Sequence, residues 1–285
     1  MASRDIKAGE IVIKEAPLVQ GPSQITRPVC VGCLQGLEEQ LQLECERCGW
    51  PICSPLCQNS NLHNAECQLT VNRGSKVSLQ HYFSPHPTYQ CLTPLRCLLM
   101  KENEPGTWEK LMQLESHCDE RQGSVQWRND REGVAKFIPR FFKCNEWSEE
   151  EILKICGIVQ INGHEVPLTD PSYVAIYNYA SLIEHSCRPN LTKSFSPKGE
   201  VIFWATENIA AGEHLSICYS DILWGTANRQ NHLMQTKIFK CDCVRCSDIT
   251  ELGTHYSALK CNAGASCVNG LLLPANLEGW EQDWK

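Results

Sequence analysis

No apolar run in these 285 residues approaches the length of a membrane span, which excludes a conventional transmembrane helix. The first residues lack the charged-then-apolar pattern of a signal peptide, so the reading is of an intracellular protein. Positive charge is also in deficit: 26 Lys and Arg stand against 33 Asp and Glu, a net charge of −7. That balance argues against direct nucleic-acid binding and suits basic, lysine-rich partners better. With 42% hydrophobic and 21% charged residues, the rest is ordinary globular composition.

Cysteine, by contrast, is abundant, at 19 residues. An odd number in a long chain without a secretory signal points to thiolate ligands rather than disulfides. Seven of the cysteines and one histidine fall between residues 30 and 67. They read "CVGC" (Cys30, Cys33), "CERC" (Cys45, Cys48), "CSPLC" (Cys53, Cys57) and "HNAEC" (His63, Cys67). A C-x2-C knuckle places two sulfurs on one turn, about 2.3 Å from a shared Zn²⁺. Eight ligands make two tetrahedral sites. A RING, the mark of a ubiquitin ligase, would end in C-x2-C knuckles, whereas this block ends C-x3-C, H-x3-C. So short a segment is expected to draw most of its folding free energy from metal.

"SRDIKAGEIVIKEAPLV" (3–19) alternates about Gly9 as strand, turn, strand, and "TENIAAGEHLSICY" (206–219) repeats the device. Ser3/Thr206, Asp5/Asn208, Ile6/Ile209, Ala8/Ala211, Gly9/Gly212 and Glu10/Glu213 match in order. Two similar turns of one β-rich domain, interrupted by the cysteine block, are expected. Helical periods dominate from about 71 to 165. Thr93 is a cap candidate with Pro94 at the first helical position, and Ser148 with Glu151 forms a capping box. His81 and His86, in the Pro-punctuated stretch 81–90, read as surface residues. Residues 193–206 read as a hairpin turning at Pro197-Lys198-Gly199. "CDCVRC" then supplies Cys241, Cys243 and Cys246, three ligands of a site for which Cys187 in "EHSCRPN" is the candidate fourth. Cys261 and Cys267 are spaced like half of a further site, and Cys91, Cys97, Cys118, Cys144, Cys156 and Cys218 read as packing residues.

These features together resemble the SET-and-MYND family of protein lysine methyltransferases, in a divergent, arthropod-like form. The cysteine block is similar to a MYND finger, "EHSCRPN" to the family's NHSCxPN motif, "GEHLSICY" to its GEELxxxY motif, and "FKCDCVRC" to its post-SET segment. The resemblance implies an α+β fold in which a β-rich SET domain is split by the finger and a helical insertion. The implied layout is 1–27 N-terminal SET, 28–70 MYND finger, 71–170 helical insertion, 171–228 SET core and 229–250 post-SET, with 251–285 opening a Cys-containing C-terminal region. It implies three Zn²⁺: one on Cys30, Cys33, Cys53 and Cys57, one on Cys45, Cys48, His63 and Cys67, and one on Cys187, Cys241, Cys243 and Cys246. It implies S-adenosylmethionine as cofactor, with Tyr219 catalytic and Asn162, Glu184, His185, Tyr219 and Phe239 at the cofactor. Partners would be a lysine-bearing histone or non-histone protein and a proline-containing peptide at the finger, in the cytoplasm and nucleus. Asn190 would serve the SET pseudoknot.

Two departures from the family pattern bear on activity. The Gly-x-Gly strand that precedes "A-x-R-D-I-x-A-G-E" in relatives is absent, and the C-terminal region breaks off early, as in a chain shortened at both ends. Glu184 replaces the motif asparagine, and a carboxylate only accepts hydrogen bonds. Beside the cofactor's carboxylate, two like charges about 4 Å apart would cost on the order of 4 kcal/mol. The alternative expectation is therefore a non-catalytic, zinc-dependent interaction scaffold that regulates transcription.

Overall fold

The two matching turn sequences lie against each other. Ile6 and Ile209 exchange backbone hydrogen bonds of 2.8 and 2.9 Å. Asp5 Oδ1 accepts from the Ala211 N–H at 2.9 Å, and Asn208 Oδ1 accepts from the Ala8 N–H at 3.0 Å. Each turn's acidic or amide side chain thus satisfies the other turn's backbone. Gly9 and Gly212 take φ of +82° and +86°, a region open to glycine at little cost. Because its partner is itself a turn, the segment before Gly9 makes only an isolated bridge at Ile6, where a strand was expected. After the turn, Ile11–Glu15 joins a three-stranded sheet with Val201–Ala205 and Leu191–Phe195.

This computed structural model describes residues 1–37, 43–79, 81–82, 84–262 and 270–275. Two compact units emerge: Met1–Lys14 with Ile183–Ser194 and Ile202–Lys285, and Glu15–Leu182 with Phe195–Val201. The mixed α and β content agrees with the expected α+β class. Among the described residues, no helix is long and apolar enough to cross a membrane.

The first unit holds the turn pair, the helix Thr226–Lys237 and a short parallel pairing of Glu184–His185 with Ser216–Ile217. Asn190 stitches this region together. Its amide donates to His214 O at 2.7 Å, and its Oδ1 accepts from the Ser216 N–H at 2.9 Å.

In the second unit, Val19–Pro22 and His164–Val166 flank Tyr173–Ile176 in a three-stranded antiparallel sheet. The helical run stops at Asn162, so the last residues of the expected helical insertion already belong to this sheet. Ser148 caps the helix Glu149–Asn162 by accepting from the Glu151 N–H at 3.1 Å. Thr93 does not cap. The helix Leu92–Asn103 starts before it, and its hydroxyl donates to Pro22 O at 2.7 Å. His86 is half-buried and accepts from the Thr88 N–H as the cap of Pro87–Cys91, whereas His81 is exposed. At the hairpin tip Gly199, with φ +79°, donates its N–H to Ser196 O at 2.9 Å.

The cysteine-rich segment shares this unit's core instead of standing alone. Trp50 and Tyr89 are fully buried and meet edge-on with ring centroids 5.8 Å apart. Tyr89 donates its hydroxyl to Val29 O at 2.6 Å. Val31 and Ile52 enter the same cluster as Leu92, Leu95 and Leu98. Apolar burial therefore adds to whatever metal contributes, more than the short segment by itself could supply. Four of the six unpaired cysteines (Cys91, Cys97, Cys144 and Cys156) are buried, and Cys118 and Cys218 are half-buried.

Candidate metal centres and cofactor site

Among the described residues, three groups of side chains could each hold a metal ion, with donor atoms all within 4.8 Å of one another. They are Cys30, Cys33, Cys53 and Cys57; Cys45, Cys48, His63 and Cys67; and Cys187, Cys241, Cys243 and Cys246. Four sulfurs at 2.3 Å around a tetrahedral Zn²⁺ stand roughly 3.8 Å apart. The Cys33–Cys53, Cys53–Cys57, Cys45–Cys67, Cys187–Cys246 and Cys187–Cys241 sulfur separations are 3.5, 3.6, 3.9, 3.5 and 4.0 Å. The donor sets and their spacing fit zinc. The Cys33–Cys30 contact splits the two thiols, drawing Cys30 down to about 5 as acceptor and pushing Cys33 up as donor.

The second group is fully buried and braced from behind. His63 directs Nε2 at Cys48 Sγ (3.3 Å) and Nδ1 at Glu66 Oε1 (3.3 Å). A carboxylate on the far nitrogen fixes the tautomer and orientation of a ligating imidazole. Glu66 is itself buried and is gripped by Arg96, whose Nε lies 3.2 Å from Oε2. Burial pushes the Glu66 carboxyl up, but Arg96 and His63 outweigh it and hold it below the usual range. Arg96 also donates to Gln20 O at 3.0 Å and Val31 O at 2.7 Å, joining sheet, finger and helix Leu92–Asn103. Beside this pair, a cavity of about 290 Å³ is lined by Pro17, Leu62, Ala65, Leu99 and Met100.

The third group has a cation behind it. Arg229, fully buried on helix Thr226–Lys237, directs Nε at Cys187 Sγ (3.2 Å) and a terminal nitrogen at Cys246 Sγ (3.6 Å). Four thiolates around Zn²⁺ carry an excess of two negative charges, which this guanidinium partly offsets. Glu251, also fully buried, pairs with Arg229 at 3.3 Å and accepts from the Thr226 N–H and hydroxyl at 2.7 and 2.8 Å. Sequence reasoning missed Arg229, Arg96, Glu66 and Glu251. Only Glu66 left a local signal, a carboxylate one helical turn beyond His63; the others act across 17 to 42 residues of chain.

On the thiol cluster rest His185, Tyr219 and Phe239. Their ring centroids lie 5.1 Å (His185–Tyr219), 5.6 Å (His185–Phe239) and 6.4 Å (Tyr219–Phe239) apart. His185 accepts the Tyr219 N–H on Nδ1 at 3.0 Å and presents Nε2 to Cys187 Sγ at 3.2 Å. It therefore carries its proton on Nε2, and burial lowers its pKa to about 4, so the ring is neutral. The Tyr219 hydroxyl donates to Ile183 O. Burial, and then Glu184, push its pKa up to about 12. Lys237 Nζ stands 5.6 Å from the Tyr219 ring centroid, and burial, then Lys193, bring its pKa down to about 8.

Among the expected cofactor residues, the structure brings Tyr219, His185 and Phe239 together. Glu184 stands beside them in sequence, but its side chain is 59% exposed and accepts from His214 Nδ1 at 2.7 Å. Asn162 belongs to the second unit, where its amide donates to Glu115 O at 2.7 Å and Ile158 O at 2.9 Å. Cys261 is half-buried, with its N–H on Gly270 O at 2.8 Å, and Cys267 lies outside the described residues.

A family model described as SET domain matches residues 1–220. The chain belongs to the SET domain family. Relatives of this SET chain include the SET domain-containing protein SmydA-8, isoform B, of Drosophila melanogaster, 28% identical over 298 residues, covering 100% of this chain and 62% of the relative. Histone-lysine N-methyltransferase SMYD3 of Mus musculus is 28% identical over 261 residues, covering 85% of the chain and 57% of the relative. N-lysine methyltransferase SMYD2-A of Xenopus laevis is 24% identical over 213 residues, covering 72% and 45%. The chain thus spans less than two thirds of the length of these relatives.

Proposed function

We propose that this chain is the SET and MYND portion of an S-adenosylmethionine-dependent protein-lysine N-methyltransferase, acting on a histone or non-histone protein. The observation that carries the reading is the Tyr219 hydroxyl anchored on Ile183 O, beside His185 and Phe239, on a four-thiol cluster. When bound, the cofactor supplies an electrophilic methyl on a sulfonium. Phe239 offers the flat apolar face that would pack on its adenine, and His185, neutral, fixes the Tyr219 backbone. Glu184, held in solvent by His214, is not asked to serve the cofactor's polar end. Tyr219 spends its proton on Ile183 O, so its oxygen keeps lone pairs for orienting the methyl. The acceptor must be a neutral amine. The lowered pKa of Lys237 supports a site that disfavours ammonium, and an entering lysine would feel the same burial.

Zn²⁺ at the three four-residue groups would be structural, since four protein ligands leave no open position. The finger would serve protein contacts, a proline-containing peptide among them, for which the cavity beside Leu62 and Met100 offers apolar walls. A protein meeting histone and non-histone targets would work in both nucleus and cytoplasm.

Glu184 favours a second reading, the non-catalytic scaffold, because no amide stands at that position. The deciding experiment incubates the zinc-loaded chain with methyl-labelled S-adenosylmethionine and core histones, with mass spectrometry of lysines. Label that disappears in Tyr219→Phe supports the enzyme. Cofactor binding without transfer, to histones or to a lysate of basic proteins, supports the scaffold.

A further inference from the structure

The first unit contains a second cavity, of about 500 Å³, lined by apolar residues such as Leu191, Ile217 and Ile222. Pockets of roughly 300–1,000 Å³ are the usual size for ligand sites. Tyr219, His185 and Phe239 are not among its walls; Arg188, Lys193 and Arg245 are. In a chain of net charge −7, three cations around one apolar hollow are a local reversal of sign. The carboxylate in the wall, Glu251, is already bound by Arg229 and Arg245.

Arg245 singles out the ligand. It is only 6% exposed, and its guanidinium lies 5.4 Å from the Tyr256 ring centroid. Its terminal nitrogen makes two long contacts, 3.4 Å to Trp224 O and 3.5 Å to Glu251 Oε2. Its Nε–H is buried and has no hydrogen-bond partner among the described residues. A buried charged donor without a partner is costly, and an anion that accepts from it recovers that cost. Arg188 and Lys193 are exposed at the same wall, where they can steer a negative group inward from solvent.

We propose that this cavity binds an acidic side chain flanked by apolar residues on a partner protein, with the carboxylate directed to Arg245 and the neighbours on Leu191 and Ile217. The apolar walls require more than a bare anion, and the open, basic rim admits a peptide strand. Cys187 and Glu251 line the same cavity, so an occupied site would press on the shell of the third metal group. The inference stands apart from methyl transfer and is tested by binding alone.

The probes are acetyl-Leu-Glu-Leu-amide and acetyl-Leu-Gln-Leu-amide, titrated calorimetrically into the zinc-loaded chain. The glutamate peptide should bind about tenfold more tightly or better. That gap should close in the surface variant Arg188→Glu/Lys193→Glu, which leaves the core intact, and in Arg245→Gln where metal content shows a folded protein. Equal binding of the two peptides, or no binding by either at millimolar concentration, overturns the proposal. Glutarate binding as tightly as the glutamate peptide overturns the peptide as ligand.

Discussion

The Glu184 carboxylate accepts a hydrogen bond of 2.7 Å from His214 Nδ1, and both side chains are more than half exposed. A charge held in solvent beside a polar ring acts weakly on its surroundings, since exposed pairs are worth about 0–1 kcal/mol. The repulsion feared from sequence assumed instead a carboxylate turned to the cofactor. Glu184→Asn should therefore change S-adenosylmethionine affinity by no more than about fivefold, measured by calorimetric titration. A gain of a hundredfold would show that Glu184 does oppose the cofactor.

Metal analysis of the chain should find three zinc ions. Cys48→Ser should remove one, and Cys187→Ser a different one. Glu66→Gln keeps the shape behind His63 but leaves the buried Arg96 without its counter-charge. It should cost on the order of 3 kcal/mol of stability and lower zinc affinity about 10–100-fold, read by chelator competition.

Arg229→Met removes the cation between two thiols and Glu251. Breaking such a buried pair costs about 3–5 kcal/mol. The variant should lose zinc from the third group first while the finger keeps both of its ions. Arg229→Lys should rescue poorly, because one ammonium cannot span Cys187, Cys246 and Glu251 together. Equal zinc retention in wild type and Arg229→Met would remove the outer-shell role.

Lys237 sets a pH signature. Its pKa falls from 10.5 to about 8 on folding, through burial and the nearby Lys193. Between those values the unfolded chain binds more protons than the folded one, so this residue makes stability rise with pH from 8 to 10.5. Below pH 8 the burial of its ammonium is a standing penalty. Lys237→Met should raise neutral-pH stability by on the order of 1–2 kcal/mol, discounted for partial solvent screening. It should also flatten the alkaline slope of thermal denaturation.

The metal groups were legible because each knuckle is a local spacing, and the donor atoms of those residues do converge within 4.8 Å. The echo of residues 3–10 in 206–213 was legible as repetition, since each turn sets its glycine at positive φ. That the two copies cap each other was not, because neither turn encodes its partner. The helix cap at Ser148 held, with Glu151 turning its carboxylate to Lys101, while Thr93 was claimed by Pro22 O, a contact that no local rule contains.

Sequence by itself determined the chemistry available: which thiols group, which tyrosine follows the strand pair, which family the motifs match. Tertiary structure alone decided the environment of that chemistry. Arg229, Glu251 and Arg96 come from distant segments, and burial makes their charges matter where exposure makes that of Glu184 fade. The strength of a charge depends on the dielectric around it, and a linear pattern of residues carries no record of depth.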